Sequence, residues 1–144
     1  MLSNTCKYAI RAVIYLAVHT KGDEKIGIKK IAEELQIPMP FLGKILQTLA
    51  RNKILSSTKG PHGGFGMGKD ASRVSLHDIV EIIDGTDVFD LCIIGMKNCS
   101  EQHMYCTLHE SYAPTRELTR DLFRHTSIAK LAAEIKSGKQ SIII

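Results

Sequence analysis

Ile28-Lys-Lys-Ile-Ala-Glu-Glu-Leu-Gln-Ile-Pro-Met-Pro-Phe-Leu-Gly-Lys-Ile-Leu-Gln-Thr-Leu-Ala-Arg-Asn-Lys-Ile-Leu-Ser-Ser-Thr-Lys-Gly-Pro-His-Gly-Gly-Phe65 changes its hydrophobic period twice. Ile28, Ile31 and Leu35 recur at helical spacing and predict a short amphipathic helix. Gln36-Ile37-Pro38 breaks it. Pro40 fits the first turn of a second helix, where a missing N–H costs little. That helix runs to about Asn52, with Leu42, Ile45, Leu46 and Leu49 as its inner stripe and Phe41, Gly43, Lys44, Gln47, Thr48 and Arg51 elsewhere on its surface. Two strand-like runs follow, Ile54–Thr58 and Phe65–Gly68. They are joined by Lys59-Gly60-Pro61-His62-Gly63-Gly64, a turn-rich loop.

Outward from this stretch, residues 5–19 form a helix that is apolar around most of its circumference, through Ala9, Ile10, Val13, Ile14, Leu16 and Ala17. Such a helix is buried on several sides. Gly22-Asp23 reads as a turn. Ser75-Leu76-His77-Asp78 resembles a capping box with Asp in place of Glu. The helix it opens buries Leu76, Ile79, Val80, Ile82 and Ile83 and stops at Gly85. Residues 86–108 have no clean period. A helix is expected from about Pro114 to His125, and Thr126 or Ser127 caps a last short helix through Ile135. The order of helix, helix, turn, helix, strand, glycine-rich loop, strand is a winged helix-turn-helix, mainly α with a small β-hairpin wing. The expected organisation is 1–85 as the winged helix-turn-helix domain and 86–109 as a cysteine-containing sensor loop. Residues 110–136 form a dimerisation helix with the final short helix, and 137–144 a tail. In the dimerisation helix Leu118 and Leu122, four apart, form a narrow apolar stripe that a symmetric partner would cover.

Charge separates the two halves. The chain of 144 residues carries +4 overall, but residues 1–70 carry +6 and residues 71–144 carry −2. Between Glu34 and Asp70 there is no acidic residue, while Lys44, Arg51, Lys53, Lys59 and Lys69 lie there. Charge alone fits a polyanion partner and a solvated basic surface without a ligand equally well. An α-helix fits the major groove, where base edges are distinguishable, and a cationic hairpin tip can approach the phosphates. His62, in the loop, can also touch phosphate. Lys7 and Arg11 interrupt the first apolar run, which argues against a signal peptide. No stretch approaches the roughly 18 apolar residues of a membrane span. A cytoplasmic protein without membrane partners is expected. No acid–base pair, nucleotide cradle or metalloprotease helix motif points to an enzyme.

The residues quoted above, together with Lys7-Tyr8-Ala9-Ile10-Arg11-Ala12 and Gly68-Lys-Asp-Ala-Ser72, resemble the IscR/NsrR-type regulators, the Rrf-two superfamily. The similarity extends to about residue 135. It implies a winged-helix homodimer on palindromic double-stranded operator DNA, with a long C-terminal helix crossing between subunits, acting as a transcriptional regulator and expected to repress. It places the turn and recognition helix at 38–47, which makes Pro38, Pro40, Phe41, Gly43, Lys44 and Gln47 the groove-facing candidates. Lys59 and Gly60 fall at the wing tip, where some members have Arg in place of Lys59. Gly43 offers no side chain where some members read a base with a carboxylate. Many members carry an iron–sulfur cluster that senses iron–sulfur status, nitric oxide or redox state; others bind none.

The cysteines give Cys92-x6-Cys99-x6-Cys106-x2-His109. Three thiolates and an imidazole suit an iron–sulfur cluster, 2Fe–2S or 4Fe–4S. Tetrahedral zinc takes the same donors, though the spacing lacks the short C-x2–4-C knuckle usual there. A bare thiol switch, or control by a partner protein, is the cluster-free alternative. In cluster-binding relatives the neighbouring cysteines stand one residue closer together, while the final Cys and the His three residues later match Cys106 and His109. Cys6 competes with His109 for the fourth position; its other reading is a small hydrophobe in a buried helix.

Overall fold

In the computed structural model, residues 1–91, 93–94 and 107–138 are described. Among them are six α-helices and one hairpin: α1 Asn4–His19, α2 Ile28–Leu35, α3 Met39–Arg51, β1 Leu55–Thr58, β2 Gly64–Met67, α4 Leu76–Ile83, α5 His109–His125 and α6 Ile128–Lys136. Short 3-10 turns occupy Ala71–Arg73 and Thr86–Phe89. The winged helix-turn-helix is the fold observed.

The all-round apolar character of the first helix has its cause in the packing. Helix α1 touches α2, α3, α4, α6 and β2. Ala9, Ala12, Val13 and Leu16 are fully buried, and they share one core with Ile31, Leu42, Leu46, Leu49 and Ile79. The inner stripe of α3 is the one the sequence predicts, with Leu42, Ile45, Leu46 and Leu49 all buried.

The hairpin is antiparallel, pairing Leu55 with Met67 and Thr58 with Gly64. Its other edge is not free. Ile26 and Phe65 exchange both backbone hydrogen bonds at 2.9 Å, so β2 runs between β1 and the chain before α2. This explains two glycines. A Cβ on Gly64 would lie 2.2 Å from the Ile26 carbonyl oxygen, and one on Gly66 would lie 2.3 Å from that of Glu24. Only glycine permits so close a backbone approach.

Both helices of the pair end in a left-handed turn without glycine. Gln36 has φ +53° and Lys53 has φ +61°. After α3, the Lys53 N–H donates to the Ala50 carbonyl at 3.0 Å and the Ile54 N–H to that of Leu49 at 3.1 Å, a Schellman closure. After α2, Gln36 and Ile37 bond Glu33 and Ala32 in the same pattern. A side chain in this conformation costs roughly 1–2 kcal/mol.

Two helix boundaries follow the sequence reading and one departs from it. Ser75 and Asp78 form the full reciprocal capping box, and α4 ends at Ile83, ahead of Gly85. Ser127, not Thr126, caps α6 and accepts from the Lys130 N–H. Helix α5, however, begins at His109, five residues before Pro114, which lies inside it. Proline removes one hydrogen bond to the carbonyl of Glu110. Glu110 is exposed, so water can serve that oxygen, and the Tyr112 N–H has already tied the helix to Leu108 at 2.8 Å.

Replacing Ser75 by Ala removes the capping box from α4. The expected loss is about 1 kcal/mol of folding stability, read from urea denaturation. An unchanged midpoint would show that α4 is held by packing alone.

Candidate nucleic-acid interface and sensor region

With Leu42, Ile45, Leu46 and Leu49 turned inward, the geometry of a 3.6-residue helix puts Pro40, Lys44, Gln47 and Arg51 in one row on the opposite side of α3. All four are exposed. The Thr48 hydroxyl donates to the Lys44 carbonyl at 2.9 Å and the Asn52 amide to the Thr48 carbonyl at 2.9 Å, so these neighbours are spent on the helix itself. Phe41 and Gly43 lie on the flanks. The Phe41 ring meets Tyr8 of α1 edge-on at 5.9 Å and remains 41% exposed. A Cβ on Gly43 would sit 3.2 Å from Ile28 Cδ1, so this flank faces α2. Pro38 is the N-cap residue of α3. Of the candidates at 38–47, the structure therefore groups Pro40, Lys44 and Gln47 and separates Phe41 and Gly43. Arg51 joins the row; it is not among the groove-facing candidates of the sequence reading, although its helical spacing from Lys44 and Gln47 could have selected it.

Lys59, Gly60 and His62 stand exposed at the hairpin tip. Gly60 has φ +107°, and its carbonyl accepts from the Gly63 N–H at 2.9 Å to close the turn. The wing thus carries its cation beside a hydrogen-bonded turn, on a separate element that leaves the end of α3 through Asn52–Ile54.

Cys92, Cys99 and Cys106 lie outside the described residues. What is described are the two ends of their segment. On one side Phe89 is buried between His77, stacked at 5.1 Å, and Phe123 of α5, edge-on at 5.6 Å. On the other, His109 is the half-buried first residue of α5. Arg120 of α5 joins them. Its guanidinium pairs with Asp90 and Glu117 and donates to the Phe89 carbonyl at 3.0 Å. Nothing in the sequence pattern marks this bridge, because Arg120 and Asp90 are 30 residues apart. Leu118 and Leu122 point away from it. They are 71% and 61% exposed on a helix that buries none of its residues.

Cys6 has no exposed surface. It is enclosed by Val80 and Phe89, with Leu2, Ile10, Ile83, Val88 and Phe123 around them. Burial, then the nearby charge of Asp84 and a hydrogen bond to it, push its thiol up to about 12. Asp84 is itself held by the backbone N–H of Ser3 at 2.8 Å and by the Ser3 hydroxyl. A metal or cluster takes the thiolate. A thiol this reluctant to ionise fits the core role. His77, Asp78 and Glu81 bring ligand atoms together within 4.8 Å. Asp78 is committed to the capping box, and Arg120 and Arg124 line the same cavity, so the surroundings oppose a cation there.

A helix pair and hairpin arranged in this way make the winged helix-turn-helix class of DNA-binding proteins. Residues 2–134 match the family model described as Rrf2, iron-dependent transcriptional regulator, and the chain belongs to that family. It is 30% identical over 132 residues to a protein of Aquifex aeolicus (strain VF5) assigned as an HTH-type transcriptional regulator, covering 91% of this chain and 90% of that one. It is 25% identical over 130 residues to the HTH-type transcriptional regulator IscR of Yersinia pseudotuberculosis, covering 90% and 77%. In fold it is similar to CymR, the global cysteine regulator of B. subtilis, with a TM-score of 0.75 at 18% identity, covering 92% and 96%. The family consists of transcriptional regulators and not enzymes. Among the described residues, no helix is long and apolar enough to cross a membrane.

The state of Cys6 is directly measurable. In a variant keeping Cys6 as its single cysteine, the native protein is expected to react with a thiol reagent at pH 8 only at the rate of unfolding. The folded state favours the neutral thiol, so stability is intact below the ordinary value of 9.0 and falls as pH rises from there toward about 12. Rapid labelling of native protein at pH 8 would contradict this environment.

Proposed function

We propose that this chain is a dimeric repressor whose α3 row and wing bind operator DNA and whose affinity is set by an iron–sulfur cluster held at residues 92–109. The observation that carries the DNA reading is the outward row of Pro40, Lys44, Gln47 and Arg51 within a stretch that has no acid from Leu35 to Lys69. Lys44 and Gln47 are the groove-facing pair. Pro38 and Pro40 shape the entry to α3, and Phe41 and Gly43 are flank positions near the groove. Lys59, Gly60 and His62 serve the phosphates from the wing. Lysine meets them as a point charge, without the planar fork that arginine would offer. The Leu118/Leu122 stripe is the dimer surface, since a helix with no buried residue and two adjacent exposed leucines is incomplete alone.

For the cluster, the support is the donor set and its anchorage. Three thiols and an imidazole lie within 18 residues. His109, the member of the set among the described residues, is half-buried on the first turn of α5. Cys6 is enclosed in apolar side chains, which leaves His109 as the preferred fourth ligand. The family's description as iron-dependent supports an iron-containing centre. When bound, the cluster supplies a redox- and ligand-sensitive centre. Of the loop's two ends, Arg120 holds Phe89–Asp90 on α5, and His109 is the first residue of that helix.

The protein is expected to sediment as a dimer and to bind its operator with an affinity that falls steeply with salt, by about 0.9 in log–log slope for each phosphate contacted. Gln47→Ala should alter the preferred sequence, while Lys59→Ala should weaken all sequences alike. Leu118→Asp with Leu122→Asp should give a folded monomer with poor operator affinity. A double variant that still sediments as a dimer would move the interface elsewhere, and salt-independent binding would remove the operator reading.

Protein prepared anaerobically with iron and sulfide is expected to be coloured. Ala variants at Cys92, Cys99 or Cys106 should lose the visible absorption, and Cys6→Ala should leave it unchanged. His109→Ala should retain a shifted or labile spectrum. Colourless protein would replace the cluster by the thiol switch.

A further inference from the structure

Lys53 occupies a position for which local structure favours another residue. It is the left-handed residue of the Schellman closure after α3, with φ +61°, where glycine fits without strain and asparagine tolerably. The turn is locked from both sides. Ile54, next in the chain, is 2% exposed, and its carbonyl accepts from the Gly68 N–H at 2.9 Å. A Cβ on Gly68 would lie 2.9 Å from the Lys53 carbonyl oxygen, so the returning strand packs directly on this turn. These contacts oppose a backbone shift that would relieve the side chain. The Lys53 side chain is exposed and makes no hydrogen bond or ion pair among the described residues. Among the described residues, no side-chain contact of Lys53 compensates the strain. Gln36 shares this conformation, so the strain alone assigns no function; what sets Lys53 apart is the cation that it holds there.

Its place in the fold supplies that function. Lys53 stands at the corner where α3 gives way to the wing, two residues past Arg51 of the outward row and six before Lys59 of the hairpin tip. No acidic residue occurs in this part of the chain, from Leu35 to Lys69. The corner therefore adds a cation between the two elements that flank it, with its Cα–Cβ direction fixed by a braced turn. We infer that Lys53 is a contact to the DNA phosphate backbone, bridging the recognition helix and the wing. This rests on the operator reading given above. It adds a residue that neither helical spacing nor hairpin pattern selects, because Lys53 belongs to no helix or strand.

The matched control is Gln36, which closes α2 in the same left-handed conformation but carries no charge. Full-length Lys53→Gly, Lys53→Asn, Lys53→Arg and Gln36→Gly are compared with the parent by fluorescence anisotropy on an operator duplex across a salt series, and by thermal denaturation. Lys53→Gly should melt no lower than the parent, yet lose about 0.9 of the log–log slope per protomer bound. That is roughly an eight-fold weaker half-site for each decade below about 1 M salt. Lys53→Asn should show the same loss, should the glycine variant fold poorly. Lys53→Arg should keep the parent slope, and Gln36→Gly should keep it while melting no lower. A Lys53→Gly or Lys53→Asn protein that binds with the parent's affinity and slope overturns the inference. So does Lys53→Gly losing stability with an unchanged slope, which marks the lysine as a cation serving only the negative end of α3. A parent protein that binds no duplex removes the operator reading and this inference together, so the two failures are distinguishable.

Discussion

Everything that faces outward in this protein depends on the burial of α1. Ala9, Ala12, Val13 and Leu16 are fully buried, and the helix touches α2, α3, α4, α6 and β2. Small residues at 9 and 12 let other elements approach the helix closely, while Val13 and Leu16 fill the space between them. Burying a large aliphatic side chain contributes about 1.5–3 kcal/mol. A single helix surrounded in this way ties the α2–α3 pair to α4 and α6 by one shared core. The row on α3 is consequently preorganised. Its direction is set by Leu42, Ile45, Leu46 and Leu49 against that core, and little ordering of the helix is left to be paid on binding.

The second constraint is the central position of β2. A hairpin alone is marginally stable in water. Here the bridge between Ile26 and Phe65 makes it the outer part of a three-membered arrangement. Gly64 and Gly66 allow the close approach, and the glycine-rich loop beyond them remains free to carry Lys59, Gly60 and His62. The glycines of this wing thus divide into two kinds: those that seat it on the body and those that turn its tip.

Sequence pattern exposed most of the fold because most of it rests on local rules. The period of Ile28–Leu35, the stripe of α3, the capping box at Ser75 and the glycine-turned hairpin each follow from neighbours within a few residues, and the structure agrees with each. The start of α5 did not follow, since proline preference places Pro114 in a first turn, whereas the bond from Tyr112 to Leu108 starts the helix earlier. The Arg120 bridge to Phe89 and Asp90 was invisible for a different reason, being a long-range pairing with no periodic trace. Phe41 shows the limit from the other side. Its spacing leaves it open between a surface residue and a core residue, and its partner Tyr8, 33 residues earlier, shows that it is part of each. The three loop cysteines read as a donor set from their spacing and chemistry, an expectation that falls outside the described residues, while Cys6, read as a small hydrophobe in a buried helix, is found enclosed by Val80 and Phe89.

Under the proposed reading, a change at residues 92–109 alters DNA affinity only if the two states make different contacts elsewhere. The described residues limit where those differences can arise. The segment enters through Phe89, stacked on His77 of α4, and leaves through His109, the first residue of α5. Arg120 closes this circuit by holding the Phe89 carbonyl and Asp90 from the side of α5. Helix α4 is packed on α1, and α1 on α3, through a dense core that resists small displacements. Helix α5 has no buried residue and is joined to the body through Phe123, Arg120 and the α4 face. Under that reading the two states differ at the joint between α5 and the rest, where no residue of α5 is buried, and not within the packed core. In a dimer built on Leu118 and Leu122, a change at that joint leaves each recognition helix intact and alters the distance and angle between the two. Such a change acts on the fit to a palindrome's half-site spacing and not on the base preference within each half-site.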